Sequence, residues 1–272
     1  MSTAEPSGVP ASSRTARSFL LTVLGEAVAP YGDTVWQESL VAALTTLGTS
    51  SPAARQVVAR AIREGWITSE RVGRRSLLTI SDSSRKMLED GRARALAFGA
   101  PTEWDGRWLL AAVTVPEDRR ELRYQLRTQL GWLGFGSLGN GLWISPHVDH
   151  QDATMELLRG GDEPVTAFVF VSTMSPTQTP AEIARAAWDL EALHERYSSF
   201  VAVHGKHRPS APAAVFAAWI KMFTSWRHFP LVDPELPDSL LPAHWPRSRA
   251  RSLFTSRNEQ WAGVALECFR SL

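Results

Sequence analysis

The sequence predicts a multidomain α+β protein with an N-terminal winged helix-turn-helix, a central ferredoxin-like domain and a helical C-terminal domain. A helix followed by a short basic hairpin between residues 50 and 81 indicates the first. A later β-α-β-β-α-β order and a final third with helical apolar patterns indicate the others. We expect a flexible tail over residues 1–15, the winged helix-turn-helix over 16–99, the ferredoxin-like domain over 104–174 and the helical domain over 180–272.

The composition is that of a globular protein. Of the 272 residues 44% are hydrophobic, and the net charge is +1. Cys268 is the single cysteine, so the chain cannot form an internal disulfide. The sequence contains neither a secretory signal nor a stretch of about 20 apolar residues long enough to span a membrane. We therefore expect a cytoplasmic protein without a membrane segment.

Three helices are expected before the hairpin. The first two cover residues 16–29 and 37–47, and a proline and a glycine end them. The third begins near Ser50 or Ser51, whose hydroxyl can accept a hydrogen bond from a first-turn N–H. Pro52 then stands where its missing N–H costs nothing. Two helices joined by a short turn in this way are typical of a helix-turn-helix.

The third helix separates apolar from polar side chains. Its apolar stripe consists of Val57, Val58, Ala61 and Ile62, and its outer face carries Arg55, Gln56 and Arg63, with Arg60 near the boundary. A basic outer face on an isolated helix usually means only that the face is solvated. The helix alone therefore does not establish a function.

The hairpin strengthens the case for DNA binding. Gly65 ends the third helix, a strand follows to a turn at Val72-Gly73, and a second strand covers residues 75–80. Residues 55–94 hold ten Arg or Lys against five Asp or Glu. Helix, strand, basic turn and strand occur in the order that a winged helix-turn-helix requires, and a local cationic excess favours phosphate binding.

The middle of the chain alternates strands and helices after the junction GAPTEWDG. We expect strands over 107–115, 135–138, 141–145 and 165–172, helices over 117–130 and 151–158, and a hairpin turn at Gly139-Asn140. This order is ferredoxin-like, with four strands in one sheet and both helices on one face. After a linker over 175–180, we expect helices over 181–203, 211–227 and 247–270. A proline-rich segment over residues 228–246, without regular structure, separates the last two helices.

Other sets of residues suggest chemistry less strongly. Gly134, Gly136 and Gly139 match GxGxxG, but they lead into a hairpin and not into a phosphate-binding helix. Histidines and aspartates at 147–152, and His204 with His207, do not complete a metal site. We therefore expect no cofactor or metal.

Two alternative functions remain open from the residues. The sequence contains no nucleophile elbow, P-loop or CxxC motif, so no feature favours an enzyme. A metal-dependent nuclease built on the ferredoxin-like domain would need a carboxylate at the end of the first strand. Asp118 lies nearest, and helix capping is its simpler role. The second alternative is a small-molecule sensor whose winged helix serves only dimerisation.

Five stretches occur along the chain in the order SFLLTVLGEAV, EGWITSERVGRRSLLTIS, EWDGRWLLAAV, GWLGFGSLGNGLWISP and WRHFPLVDPELPDSLLPAHWP. In these stretches, and over most of its length, the chain resembles the PaaX family of bacterial regulators, which repress phenylacetate degradation operons. This is a resemblance of several blocks in one order. It implies a winged-helix N-terminal domain, a middle domain similar to the CRISPR-associated Cas2 fold and a helical C-terminal region. It also implies a homodimer on palindromic double-stranded operator DNA that is released by an acyl-CoA effector, typically phenylacetyl-CoA.

The resemblance also suggests site residues. The recognition helix and the wing would supply the DNA contacts, which are Ser51, Arg55, Gln56, Arg60, Arg63, Arg71, Arg74, Arg75 and Ser76. Of these residues we expect Arg74 and Arg75 above all to contact DNA, because the hairpin leaves them little apolar surface to cover. Cations that could meet the phosphates of an acyl-CoA are Lys206, His207, Arg208, Arg227 and His228. Solvation of helix ends explains these two clusters about as well.

Overall fold

The computed structural model describes residues 11–160, 165–173 and 177–272, of which residues 11–14 are described without side chains. The chain forms two compact units. The first contains the residues through Phe98 together with Phe200–Arg227 and Ser252–Leu272, and the second contains Gly99–Ser199 and His228–Arg251. One division thus falls at the end of the predicted winged helix-turn-helix, whereas residues of the predicted C-terminal domain occur in both units.

The N-terminal part of the first unit combines helices with a small sheet. Its elements are α1 (Ala11–Val23), a π-helical turn (Leu24–Val28), a 3-10 turn (Ala29–Tyr31), β1 (Thr34–Trp36), α2 (Gln37–Thr46), α3 (Ser51–Arg63), β2 (Ile67–Val72), β3 (Arg75–Ile80) and α4 (Asp82–Ala97). The strands form an antiparallel sheet in the order β1-β3-β2. The sequence did not predict β1, because three residues are too few to show an alternating pattern.

Several predicted boundaries in this unit are corrected by the structure. Helix α1 begins at Ala11, inside the segment expected to be a flexible tail, whose residues 1–10 lie outside the described part. Ser50 occupies the N-cap position of α3, but its side chain makes no capping hydrogen bond. The β2–β3 turn consists of Gly73 and Arg74 and not of Val72-Gly73, and the positive φ of 63° at Gly73 suits glycine.

The C-terminal helices complete the core of the first unit. They are the end of α8 (Leu190–Gly205), α9 (Pro212–Trp226) and most of the last helix, which covers Arg247–Arg270. The indole N–H of the fully buried Trp226 donates to the carbonyl of Ala95 at 2.8 Å. Its ring stacks on Phe254 at 4.7 Å between centroids and meets Phe98 edge-on at 5.7 Å. These contacts fix the end of α9 against α4 and the last helix.

The second unit contains the predicted ferredoxin-like arrangement. Its elements through β7 are β4 (Arg107–Thr114), α5 (Arg120–Trp132), β5 (Gly136–Gly139), β6 (Leu142–Ser145), a 3-10 turn (Val148–His150), α6 (Gln151–Arg159) and β7 (Thr166–Thr173). All neighbouring strands are antiparallel, and their order is β5-β6-β4-β7. The element order and the single four-stranded sheet agree with the sequence prediction.

The two faces of this sheet pack against different partners. Leu109, Ala111 and Val113 of β4 form one core with apolar residues of α5 and α6, so both helices lie on one face as predicted. On the other face, Trp108 and Ile144 pack against α7 (Pro180–Ala187), Leu190 and the proline-rich segment. That segment buries Leu236, Leu240 and Leu241, whereas Leu231 is 58% exposed.

Other details of the second unit differ from prediction. The hairpin turn consists of Asn140 and Gly141, one residue later than expected, and both have positive φ. The long helix expected over 181–203 is divided between α7 and α8 by extended backbone at Trp188. The proline-rich segment holds a short helix, α10 (Phe229–Val232), and a 3-10 turn (Asp238–Leu240), so regular structure is not excluded there. The last helix, Arg247–Arg270, is α11.

Candidate nucleic-acid interface

The outer face of α3 presents the predicted polar residues to solvent. Arg55, Gln56 and Arg63 are exposed, and with about 100° between successive residues they fall within an arc of about 100°. The opposite side of the helix is buried through Ala54, Val57, Val58 and Ala61. Because these residues are buried, the face with Arg55, Gln56 and Arg63 points to solvent. The predicted separation of apolar and polar side chains on this helix is confirmed.

Arg60 lies at the edge of this face and is engaged within the chain. Its Nε donates to Glu64 Oε1 at 2.6 Å, and Glu64 Oε2 accepts from Arg17 Nη2 at 3.0 Å. The Arg17 guanidinium also lies 5.0 Å from the centre of the Trp66 ring. The hydrogen bond from Arg60 holds the pKa of the Glu64 carboxyl below its usual range, and the charge of Arg17 contributes. Two cations therefore share one carboxylate.

The tip of the β2–β3 hairpin carries the other predicted cations. Arg71 opposes the half-buried Ser76 across the hairpin, and its Nε donates to the Gly73 carbonyl at 3.2 Å. Arg74 stands in the turn and is exposed. Within the described part of the chain, its guanidinium makes no hydrogen bond or ion pair. Arg74 is thus well placed to meet an external anion.

Arg75 has a different environment from its neighbour. Its guanidinium lies 4.0 Å from the centre of the Trp36 ring, and its Nε donates to Glu38 Oε1. A hydrogen bond from the Glu38 backbone, together with Arg75, holds the pKa of the Glu38 carboxyl below its usual range. The expectation that Arg75 covers little apolar surface is wrong, because Trp36 of the unpredicted strand β1 lies under it. Arg75 connects the hairpin to β1 and α2.

The candidate effector cations occupy two kinds of position. Lys206, His207 and Arg208 are exposed after the end of α8, and Arg208 Nη1 donates to the carbonyls of Gly205 at 2.7 Å and His207 at 2.8 Å. Arg208 therefore caps the helix C-terminus. Arg227 is partly buried, and burial lowers its pKa while the charge of Glu26 raises it. His228 is exposed.

Glu26 is a buried acid that the sequence analysis did not identify. It lies in the π-helical turn with 2% of its surface exposed, and its Oε2 accepts from Arg92 Nε at 2.9 Å. Burial raises the pKa of Glu26 to about 7, although Arg92 and Arg227 oppose the shift. A lone acid within the apolar run SFLLTVLGEAV was the available signal.

A second buried polar cluster anchors the proline-rich segment in the second unit. The Tyr197 hydroxyl donates to Asp233 Oδ2, and Arg247 Nη1 lies 3.8 Å from Asp233 Oδ1. Arg247 Nη2 donates to the Leu236 carbonyl at 2.6 Å and to Asp238 Oδ1 at 2.7 Å. Burial raises the pKa of Tyr197 and that of Asp233. Tyr197, Asp233 and Arg247 are buried and Asp238 is exposed, and the cluster has a structural role.

Two of the three GxGxxG glycines, Gly134 and Gly136, serve close packing, whereas a Cβ at Gly139 would meet no atom within 4 Å. A Cβ at Gly136 would lie 2.6 Å from Trp188 Cε2, and one at Gly134 would lie 2.7 Å from His147 Cδ2. Gly136 opens β5, so the run leads into a strand as the sequence indicated. Asp162 follows these glycines at the distance expected for the ribose-binding carboxylate of a dinucleotide site, and it lies outside the described residues.

The predicted histidine and aspartate sets do not form a metal site. His147 Nε2 lies 2.7 Å from the Pro234 carbonyl, and His150 Nδ1 lies 3.0 Å from the Leu133 carbonyl. Among the residues that the structure describes, no group of three or more His, Cys, Asp or Glu could hold a metal ion. Asp118 lies in a turn before α5, whose N-cap is Arg119, so the capping role expected for Asp118 is not observed.

Comparison with protein families accounts for nearly the whole chain. Residues 15–84 match the family model described as PaaX-like protein, residues 101–184 match the PaaX protein central Cas2-like domain, and residues 188–271 match the PaaX-like protein C-terminal domain. The chain belongs to the PaaX family. The predicted Cas2-like middle of this PaaX-family protein is thereby confirmed.

One curated protein and one solved structure are similar to this PaaX-family chain over most of its length. It is 29% identical over 266 residues to the transcriptional repressor PaaX of Escherichia coli strain K12, covering 92% of this chain and 81% of the relative. The structure of the uncharacterized protein Rv0674 from Mycobacterium tuberculosis superimposes with a TM-score of 0.65 at 20% identity. The match covers 94% of this chain and 97% of that one, and it shows a shared fold.

Among the helices that the structure describes, none combines the length and the apolar character that crossing a membrane requires.

Proposed function

We propose that the protein is a transcriptional repressor that binds double-stranded operator DNA through an N-terminal winged helix-turn-helix. Helices α2 and α3 would form the helix-turn-helix, and β2 with β3 would form the wing. The exposed basic face of α3, followed directly by the basic hairpin tip, is the observation that carries the proposal. The relative named transcriptional repressor PaaX supports the same function.

The proposed contacts divide into two classes. Arg55, Gln56 and Arg63 on α3 would meet base edges in the major groove, where arginine can bind guanine and glutamine can bind adenine with two hydrogen bonds. Ser51 at the helix start, Arg71 and Arg74 on the hairpin, and Ser76 would position the protein on the phosphates. Arg60 and Arg75 would contribute less, because each already pairs with a carboxylate of the chain.

DNA binding can be tested by fluorescence anisotropy with a labelled duplex from the region upstream of the gene. We expect binding at low salt that weakens steeply as salt rises, because each neutralised phosphate releases counterions. Absence of binding at low salt would contradict the proposal. The same duplex incubated with protein and Mg²⁺ should stay intact, and cleavage would favour the nuclease alternative.

An acyl-CoA effector is the second part of the proposal. We expect an aryl-CoA such as phenylacetyl-CoA to release the repressor from an aromatic-acid catabolic operon, as the family resemblance implies. An effector can act in this way only if it binds the DNA-free form more tightly than the DNA-bound form. Lys206, His207 and Arg208 are exposed candidates for its phosphates, with Arg227 and His228 as the second set. Titrating phenylacetyl-CoA into the DNA complex, with phenylacetate and coenzyme A as controls, tests this directly.

Palindromic operator binding requires a homodimer, and β7 offers a surface for it. This edge strand exposes Phe168 and Phe170, which are 59% and 55% accessible and stack on one another at 6.5 Å between ring centres. A two-fold axis would place β7 of a second copy antiparallel to it and continue the sheet. Sedimentation velocity should show a dimer at micromolar concentration, and a monomer would refute this part.

A further inference from the structure

A cationic groove runs along one flank of α3 in the first unit. It has a volume of about 1060 Å³ and is lined by residues of α1, the α2–α3 turn, α3 and α9. Among its lining residues are Gln56, Arg60 and Arg63 of α3, Phe19 of α1 and Lys221 of α9. Three of these side chains are cations, of which Arg60 already pairs with Glu64, and none of the described side chains that line the groove is acidic. The groove therefore favours an anion.

Lys221 is held at this groove by the packing of its helix. The residues on either side of it in α9, Ile220 and Met222, are fully buried, whereas Lys221 is exposed. One turn later, Thr224 Oγ1 donates to Thr22 Oγ1 of α1 at 2.9 Å. The burial of Trp226 fixes the end of the same helix. Lys221 therefore lines the groove beside α3 from an element that belongs to the same compact unit.

We propose that Lys221 contacts a phosphate of the bound DNA, so that a helix from the C-terminal third forms part of the DNA interface. This inference rests on the proposed DNA binding by α3. A helix in the major groove has a phosphate backbone on each flank, and Lys221 would meet one of them. Lysine acts as a point charge and suits a phosphate, so Lys221 should contribute to affinity and not to sequence discrimination.

The experiment measures the salt dependence of duplex binding for the full chain and for single-charge variants. Lys221→Gln should reduce the magnitude of the negative slope of log K against log salt by about 0.9. Lys221→Arg should retain the wild-type slope. Lys86→Gln is the matched control, because Lys86 is an exposed lysine of the same unit that pairs with Asp90 at 3.3 Å on α4. We expect the control to keep the wild-type slope. The loss for Lys221→Gln should be equal on operator and unrelated DNA.

The outcomes separate the inference from the function on which it rests. If the wild type binds DNA and Lys221→Gln keeps its slope, Lys221 makes no phosphate contact and the inference is overturned. Equal losses for Lys221→Gln and Lys86→Gln would show a general charge effect and would overturn it as well. Failure of the wild type to bind at low salt would refute the proposed function and the inference together. Unchanged thermal unfolding of both glutamine variants establishes that each is folded.

Discussion

Replacing Arg74 and Arg75 separately by alanine should give two different defects, although the residues are neighbours. Arg74 stands exposed in the hairpin turn, whereas Arg75 lies over Trp36 and pairs with Glu38. We therefore expect Arg74→Ala to weaken DNA binding without affecting folding. Arg75→Ala should mainly loosen the attachment of the hairpin to β1 and α2.

The expected magnitudes follow from these contacts. One lost phosphate contact lowers the slope of log K against log salt by about 0.9, which corresponds to about 3.5-fold in affinity for each fourfold change in salt. Arg74→Ala should show this change, with an unfolding free energy within about 0.5 kcal/mol of the wild type. Arg75→Ala loses a cation–π contact worth about 0.5–1 kcal/mol at an exposed site. Its slope should change less than that of Arg74→Ala.

Two measurements on the same preparations decide between these expectations. Fluorescence anisotropy across a salt series gives the slopes, and urea unfolding followed by tryptophan fluorescence gives the stabilities. If Arg75→Ala lowers the slope more than Arg74→Ala and leaves stability unchanged, then Arg75 is the external contact. The roles assigned to the two side chains would then be wrong.

Three further perturbations test other parts of the structure. Because the pKa of Glu26 is raised from 4.5 to about 7 in the folded state, the folded state binds the carboxyl proton more tightly than the unfolded state does. The wild type should therefore lose about 3 kcal/mol of unfolding free energy as the pH rises from 4.5 to about 7. Glu26→Gln should flatten that loss in urea titrations at pH 5 and 8, and identical pH profiles would contradict the burial argument. Gly141→Ala should destabilise by about 2 kcal/mol or more, because the glycine has a φ of 78° and a Cβ would clash with the Val113 carbonyl; an unchanged urea midpoint would contradict this. Phe170→Asp should produce a monomer in sedimentation velocity with an unchanged circular dichroism spectrum, and a persistent dimer would exclude β7 as the dimer surface.

Much of the fold could be predicted because its signals are local. The apolar stripe of α3 and the element order of the ferredoxin-like domain depend on residue spacing, and both agree with the structure. Strand β1 could not be predicted in the same way. It has three residues, and it is defined by pairing Thr34 with Thr79, far away in the chain. Errors in the hairpin turns amount to one residue, because several adjacent residues tolerate a turn.

The environments of individual side chains were harder to predict than their exposure. Arg75 appeared free because Trp36 was not recognised as part of the sheet beneath it. The buried Glu26 depends on Arg92 and Arg227, which reach it from α4 and from the end of α9. Lys221 lines the groove beside α3 only because α9 packs on α1, and the residue spacing within α9 does not predict that packing. Such contacts between distant segments are set by tertiary packing and not by local spacing.

DNA binding through the outer face of α3 is tested most directly by the variant Arg55→Ala/Arg63→Ala. Each arginine that meets a base contributes about 1–3 kcal/mol. At low salt the wild type should bind the upstream duplex, and the double variant should bind it at least about 30-fold more weakly while unfolding at the same urea concentration. Equal affinity of the two folded proteins would show that this face of α3 does not contact DNA.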